Sequence, residues 1–216
     1  MSQRSLSQRF WQWIIERTRI EPFLTTSITE KALNPVYCLG GLTFLFFVLL
    51  AVTGVMLAMY YVPTPDAAYD TVQEITTSVR YGWLIRGVHF YAANGMIITS
   101  VLHMLRVYFT GAYKKPRELN WIAGVGLGAF TIMAGFTGYV LRWDQEAVGA
   151  AGIGLGLADS IPTFGKTITQ IFWGRNNAET LGRFFATHIL LVPGLLILLM
   201  AVHFFMIRRH GIAKPL

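Results

Sequence analysis

Four of the chain's five histidines fall into two pairs, His89 with His103 in one charge-free apolar segment and His188 with His203 in another, 14 and 15 residues apart. A helix advances about 1.5 Å and 100° per residue, so each pair spans roughly 21 to 23 Å and returns to nearly the same face. That length is most of a bilayer's hydrocarbon thickness. Two such helices side by side bring His89 level with His188 and His103 level with His203, giving two stacked bis-imidazole sites, one near each membrane surface. Imidazole ligates haem iron, and an ionisable side chain in lipid without a partner is costly. The pattern points to two haems conducting electrons across a membrane. The plainer alternative is four interhelical contacts that bind no metal. His210 lies beyond the apolar segment among Arg208, Arg209 and Lys214, where a histidine faces solvent or headgroups.

Haem also needs room and partners for its propionates. Gly40 and Gly54 are 14 residues apart, as are Gly124 and Gly138, the stride of His89 and His103. Glycine lets a flat macrocycle approach a helix backbone, although glycine also serves close helix packing in membranes. Arg86 lies three residues before His89, Arg183 five before His188, Arg106 three after His103 and Arg208 five after His203. A guanidinium holds a carboxylate through a charge-assisted fork; the alternative is that these arginines mark helix ends. Cys38 is the only cysteine, so an intrachain disulfide is impossible, and there is no CxxCH. Composition alone reads Cys38 as a small buried apolar residue.

The elements that must position these groups are membrane helices. The chain has 216 residues, 54% hydrophobic and 13% charged, too apolar for an ordinary soluble domain. Four stretches free of Asp, Glu, Lys and Arg are long enough to cross a bilayer: 39–61, 87–105, 119–141 and 184–207. The expected fold is an all-α integral membrane bundle of four transmembrane helices, a single domain over 1–216. An amphipathic surface helix is expected over 6–20, where Phe10, Trp13, Ile14 and Ile20 recur among arginines. The connection 143–182 is long, and its Ile161-Pro162 and Gly165 suggest a turn between short helices near 145–158 and 166–173. With four spans, twelve Lys and Arg fall on the side of both termini and six on the other, so both termini are expected on the cytoplasmic or stromal side. His89 and His188 then form the outer site, His103 and His203 the inner one. The net charge of +7 flanks the spans and forms no continuous stripe, so it marks topology and not nucleic-acid binding.

Longer motifs carry a resemblance. YCLGG at 37–41, GWLIRGVH at 82–89, LHMLRVYFTGAYKKPRELNW at 102–121, GFTGYVLRWDQ at 135–145, and RFFATH with HFFMIRRHGIAKPL near the end resemble cytochrome b6, the N-terminal cytochrome b subunit of b6f-type quinol oxidising complexes. The GAYKKPRELNW run is shared with Firmicute-type menaquinol complexes. The resemblance implies haem b ligation by His89 with His188 and by His103 with His203. It also implies a third, c-type haem held by one thioether at Cys38, quinol as substrate, an inner quinone site near Arg208, and an outer quinol wall formed by Tyr139, Trp143 and the segment to about Gly156. The implied partners are a second cytochrome b fragment of subunit IV type, a Rieske iron-sulfur protein and a cytochrome c or f type subunit, in a dimeric complex in membrane lipid that contributes to proton translocation. Electrons would reach a cytochrome c or plastocyanin type acceptor. No residue of this chain is assigned as catalytic, because the PEWY-type glutamate is missing and lies on a second subunit in split complexes. One departure stands out: the proline usual in TGYxLPWD is Arg142 here, which can continue a helix and brings a cation. The rival functions are a di-haem anchor of a dehydrogenase or hydrogenase without bifurcation, and a haem-free transporter or assembly protein.

Overall fold

The computed structural model describes residues 7–8 and 38–211. The surface helix expected over 6–20 lies outside the described residues, except that Ser7 and Gln8 are helical. By its internal contacts the chain divides into Met1–Cys38 with Pro215 and Leu39–Lys214 with Leu216. Of the first unit, Cys38 is described and is exposed, unlike the buried thiol that composition suggests.

Among the described residues the second unit is entirely helical: α1 Leu39–Ala58, α2 Ala68–Thr77, α3 Gly82–Phe109, α4 Glu118–Val140, α5 Gln145–Asp159, α6 Gly165–Phe172, α7 Asn177–Ala186 and α8 Val192–His210. Four helical spans are long and apolar enough to cross a membrane: α1, α3, α4 and the continuous Asn177–His210, in which a π-turn at Thr187–Leu191 joins α7 to α8. Many of their apolar side chains are exposed, Val52, Phe90, Ile98, Ile132, Leu190 and Leu198 among them, as suits helices whose surroundings are lipid.

Two of these spans run past the charge-free windows. α3 takes in Arg86 and Arg106 at its two ends, and the last span begins before Arg183 and includes Arg208 and Arg209. Arginine is a good helix former whose long stem lets the guanidinium reach a membrane surface from inside the helix. α1 instead stops short of Tyr61, in a turn where Tyr60 and Tyr61 both bond back to the Leu57 carbonyl. The two expected short helices appear as α5 and α6, while α2 has no counterpart in the expectations.

The bundle packs α1 on α3 and α4 on α8, with α3 also against α4. Its central cluster is Met96, Val192 and Leu196, flanked by Phe46, Phe47, Leu50, Leu127, Phe130 and Met200. Met96 lies midway between His89 and His103, and Val192 and Leu196 lie between His188 and His203. The apolar core therefore fills the space between the two histidine levels. A second cluster of Val140, Ala151 and Phe184, with Phe136, Trp143 and Trp173 against it, closes the bundle at the end nearer His89.

Candidate haem sites

α3 and the span 177–210 run parallel, and this puts His89 beside His188: their ring centres are 6.3 Å apart with planes at 69°. An imidazole nitrogen bound to a first-row metal sits about 2 Å from the ion and about 1 Å from its own ring centre, so two rings ligating one ion from opposite sides have centres roughly 6 Å apart. The pair fits bis-imidazole ligation of one iron. His103 and His203 lie 14 and 15 residues further along the same two helices. Among the described residues no group of three or more His, Cys, Asp or Glu converges on a metal position, which two-ligand haem binding does not require.

Each imidazole meets a glycine of the neighbouring antiparallel helix. A Cβ built on Gly54 of α1 would lie 3.3 Å from Cε1 of His89, and one on Gly40 3.1 Å from Cε1 of His103. On α4, Gly138 would reach 2.6 Å from Cε1 of His188 and Gly124 3.5 Å from Cε1 of His203. The four glycines thus sort by depth with the four histidines, and at Gly138 the approach is too close for any side chain. This is a cradle that a Cβ would fill, and its residues suit a flat macrocycle held between imidazoles.

The unequal intervals are reconciled by the π-turn. Fourteen helical residues fall about 40° short of a whole number of turns, whereas fifteen overshoot by about 60°. At Val192 the backbone N–H reaches back to the Thr187 carbonyl, five residues away, so one residue is absorbed just beyond His188. The 15-residue interval then closes with the phase of a 14-residue one. The sequence expectation for this span is a plain helix.

The arginines differ in what they hold. Arg183 bonds Glu179 at 2.8 Å and the carbonyls of Ile171, at 3.0 Å, and Gln170, tying α7 to α6. Arg86 donates to Thr76 Oγ1 at 3.3 Å, linking α3 to α2. Arg106 and Arg208 lie near the ends of α3 and α8 that carry His103 and His203. At that end Arg117 donates to the carbonyls of His210 and Gly211, joining the start of α4 to the end of α8.

Beyond the His89–His188 level the chain turns a corner. α4 ends at Val140 although Arg142 replaces the proline that would stop it. Two contacts and one backbone turn shape the corner: Tyr61 Oη donates to the Leu141 carbonyl at 2.8 Å, Asp144 caps α5 by accepting from Ala147 N at 2.8 Å, and Trp143 adopts φ +52°. A left-handed backbone at a bulky residue persists only when its surroundings fix it. Arg142 pairs with Asp144 at 2.8 Å and Glu146 at 3.1 Å and lies over the Tyr139 ring at 4.6 Å, while Tyr139 Oη donates to Glu146 at 3.3 Å. Burial opposes the Arg142 charge, but its bonds to Glu146 and Asp144 prevail and raise its pKa above the usual guanidinium value. Tyr139 therefore sits in an ion cluster, while Trp143 packs against Val140, Ala151 and Phe184. Tyr61 was absent from the sequence expectations, and nothing in its spacing marked it.

This geometry defines a helical membrane protein with two levels of facing histidines. A family model described as Cytochrome b/b6/petB matches residues 24–211, and the chain belongs to the cytochrome b/b6 family. It is 45% identical over 191 residues to cytochrome b6 of Heliobacterium modesticaldum, covering 88% of this chain and 90% of that one. It is 41% identical over 221 residues to the menaquinol:cytochrome c reductase cytochrome b subunit of Geobacillus thermodenitrificans, covering 96% and 99%. A solved structure of a hyperthermophilic respiratory Complex III aligns with a TM-score of 0.80 and 29% identity over 94% of this chain and 56% of the matched chain, so the present chain spans little more than half of that subunit. With four apolar spans and this family, it is an integral membrane protein.

Proposed function

We propose that the chain is the haem-carrying cytochrome b subunit of a quinol oxidoreductase complex, carrying electrons across the membrane between an outer quinol-oxidation site and an inner quinone-reduction site and contributing to proton translocation. Relatives named as cytochrome b6 and as a menaquinol:cytochrome c reductase subunit support this reading over a unidirectional haem anchor. The observation that carries it is the paired arrangement of His89 with His188 and His103 with His203, each ring against a glycine of the adjacent helix.

In this reading His89 and His188 hold one haem b, and His103 and His203 the other. Haem supplies one-electron redox chemistry; the chain's residues hold it at two depths and keep water out with the Met96, Val192 and Leu196 core. Cys38, exposed just before α1, is the attachment point for a third haem through one thioether. Arg208 borders the inner quinone site. Tyr139, Trp143 and α5 form one wall of the outer quinol site, where the ring and cation of the Arg142 cluster orient the substrate. Arg86, Arg183 and Arg106 hold propionates or pack the helix ends. The positive-inside charge balance places both termini on the cytoplasmic side. The quinol-deprotonating group, the Rieske protein and the cytochrome c or f type subunit come from partner chains.

Purification of the complex from its native membrane tests this. The expected preparation contains b-type haem reducible by quinol, a Rieske subunit and a second cytochrome b fragment. A preparation that contains a molybdopterin or nickel enzyme and no Rieske subunit would contradict it.

A further inference from the structure

The glycines facing His89 and His188 are each preceded by a threonine. Thr53 Oγ1 lies 2.8 Å from His89 Nδ1, and Thr137 Oγ1 lies 3.1 Å from His188 Nδ1. The direction of these bonds is settled by the threonines' other contacts. A hydroxyl has a single hydrogen. Thr53 gives its hydrogen to the Leu49 carbonyl at 2.6 Å and Thr137 gives its own to the Met133 carbonyl at 2.9 Å, the usual back-bond of a helical threonine. Each Oγ1 is left to accept, so Nδ1 carries the imidazole proton and Nε2 keeps its lone pair.

Fourteen residues earlier on the same helices the corresponding pairs are Leu39-Gly40 and Ala123-Gly124, which keep the glycine and lack the hydroxyl. Among the described residues no hydroxyl is bonded to His103 or His203. Nδ1 of His203 is buried without a hydrogen-bond partner. The two levels thus share ligands and glycines and differ in what receives the Nδ1 proton.

We propose that Thr53 and Thr137 are positioning residues that fix the Nε2-ligating tautomer of His89 and His188 and lower the reduction potential of the haem held between them. This rests on the haem-ligand assignment above. An acceptor on Nδ1–H makes the imidazole a more basic ligand, which favours ferric over ferrous iron. The effect is confined to one level, because the other has no hydroxyl to lose. It is stronger at His89, whose Nδ1 lies 2.8 Å from its hydroxyl, than at His188, where the distance is 3.1 Å.

The test is a redox titration of the purified complex, followed in the reduced alpha band and by the ferric electron paramagnetic resonance signals. Thr53→Val, nearly isosteric, is expected to keep both haems b and to shift one potential positive while the other stays in place. Thr53→Ser is expected to restore the original value, and Thr137→Val to give a smaller positive shift. Unchanged potentials in Thr53→Val, or equal shifts of both haems, would overturn the proposal. If Thr53→Val loses a haem, Thr53→Ser decides: retention at the original potential assigns the role to the hydroxyl, and loss overturns it. His89→Ala separates this from the underlying reading, since two haems b retained in that variant would remove the ligand assignment itself.

Discussion

A methyl group on Gly138 would lie 2.6 Å from Cε1 of His188, well inside the separation at which two carbon atoms pack. The ring and the helix backbone are therefore in direct contact, and α4 must carry glycine at this point whatever the rest of its surface does.

Gly138→Ala should displace the His188 ring, at a cost of about 1 to 3 kcal/mol for overpacking. We expect loss of the haem at that level with the His103–His203 haem kept. Gly124→Ala, where the added carbon meets His203 at an ordinary 3.5 Å, should keep both. Haem content per protein by the pyridine haemochrome spectrum checks the pair; equal retention in the two variants would contradict the close contact.

The Arg142 corner should separate quinol chemistry from haem binding. Arg142→Gln removes ion pairs whose members are partly exposed, a change of under about 1 kcal/mol in folding. Haem spectra should be unchanged while quinol oxidation slows, because Tyr139 and Glu146 lose the cation that holds them together. Arg142→Pro should act more strongly. It removes the Arg142 N–H bond to the Tyr139 carbonyl and disfavours the helical φ and ψ of Leu141, at −65° and −15°. Since the pKa of Arg142 is raised, its charge is kept throughout pH 7 to 9 and is lost only as pH climbs past the guanidinium range. Raising pH from 7 to 9 should therefore not reproduce the Arg142→Gln defect. Unchanged quinol kinetics in both variants would leave Arg142 as a surface substitution.

The spans and the histidine pairing were legible because both rest on simple periodicities: runs without charge, and a stride that returns to one helix face. The limits of the spans were less so, since a charge-free window stops at Arg86, Arg106 and Arg183 while the helix continues through them. The π-turn beyond His188 is a backbone event with no residue type of its own, and only the odd 15-residue interval hinted at it. The depth order of Gly40, Gly54, Gly124 and Gly138 followed from their stride, whereas the hydroxyls of Thr53 and Thr137 required the antiparallel packing of α1 on α3 and α4 on α8. α2 went unread because its ten residues carry too few apolar positions to stand out from a loop. The third charge-free span stops at Leu141, and the Arg142 that follows can continue a helix where proline cannot. The helix ends nonetheless, because Tyr61 takes the Leu141 carbonyl and Trp143 turns the backbone left-handed.

Cys38 should carry haem covalently. Denaturing electrophoresis with haem-peroxidase staining of the mature protein is expected to show a band that vanishes in Cys38→Ser, while the b-type alpha band persists. A haem-free band in the fully matured protein would contradict the assignment.

The pairing of histidines across helices is tested most directly by comparing His89→Ala with His103→Ala in the purified complex, each assayed by redox-resolved optical spectra. Each variant should lose one haem b and keep the other. The haem lost in His89→Ala should be the one lost in His188→Ala, and that lost in His103→Ala the one lost in His203→Ala. Loss of the same haem in His89→Ala and His103→Ala, or loss of neither, would contradict ligation by His89 with His188 and His103 with His203.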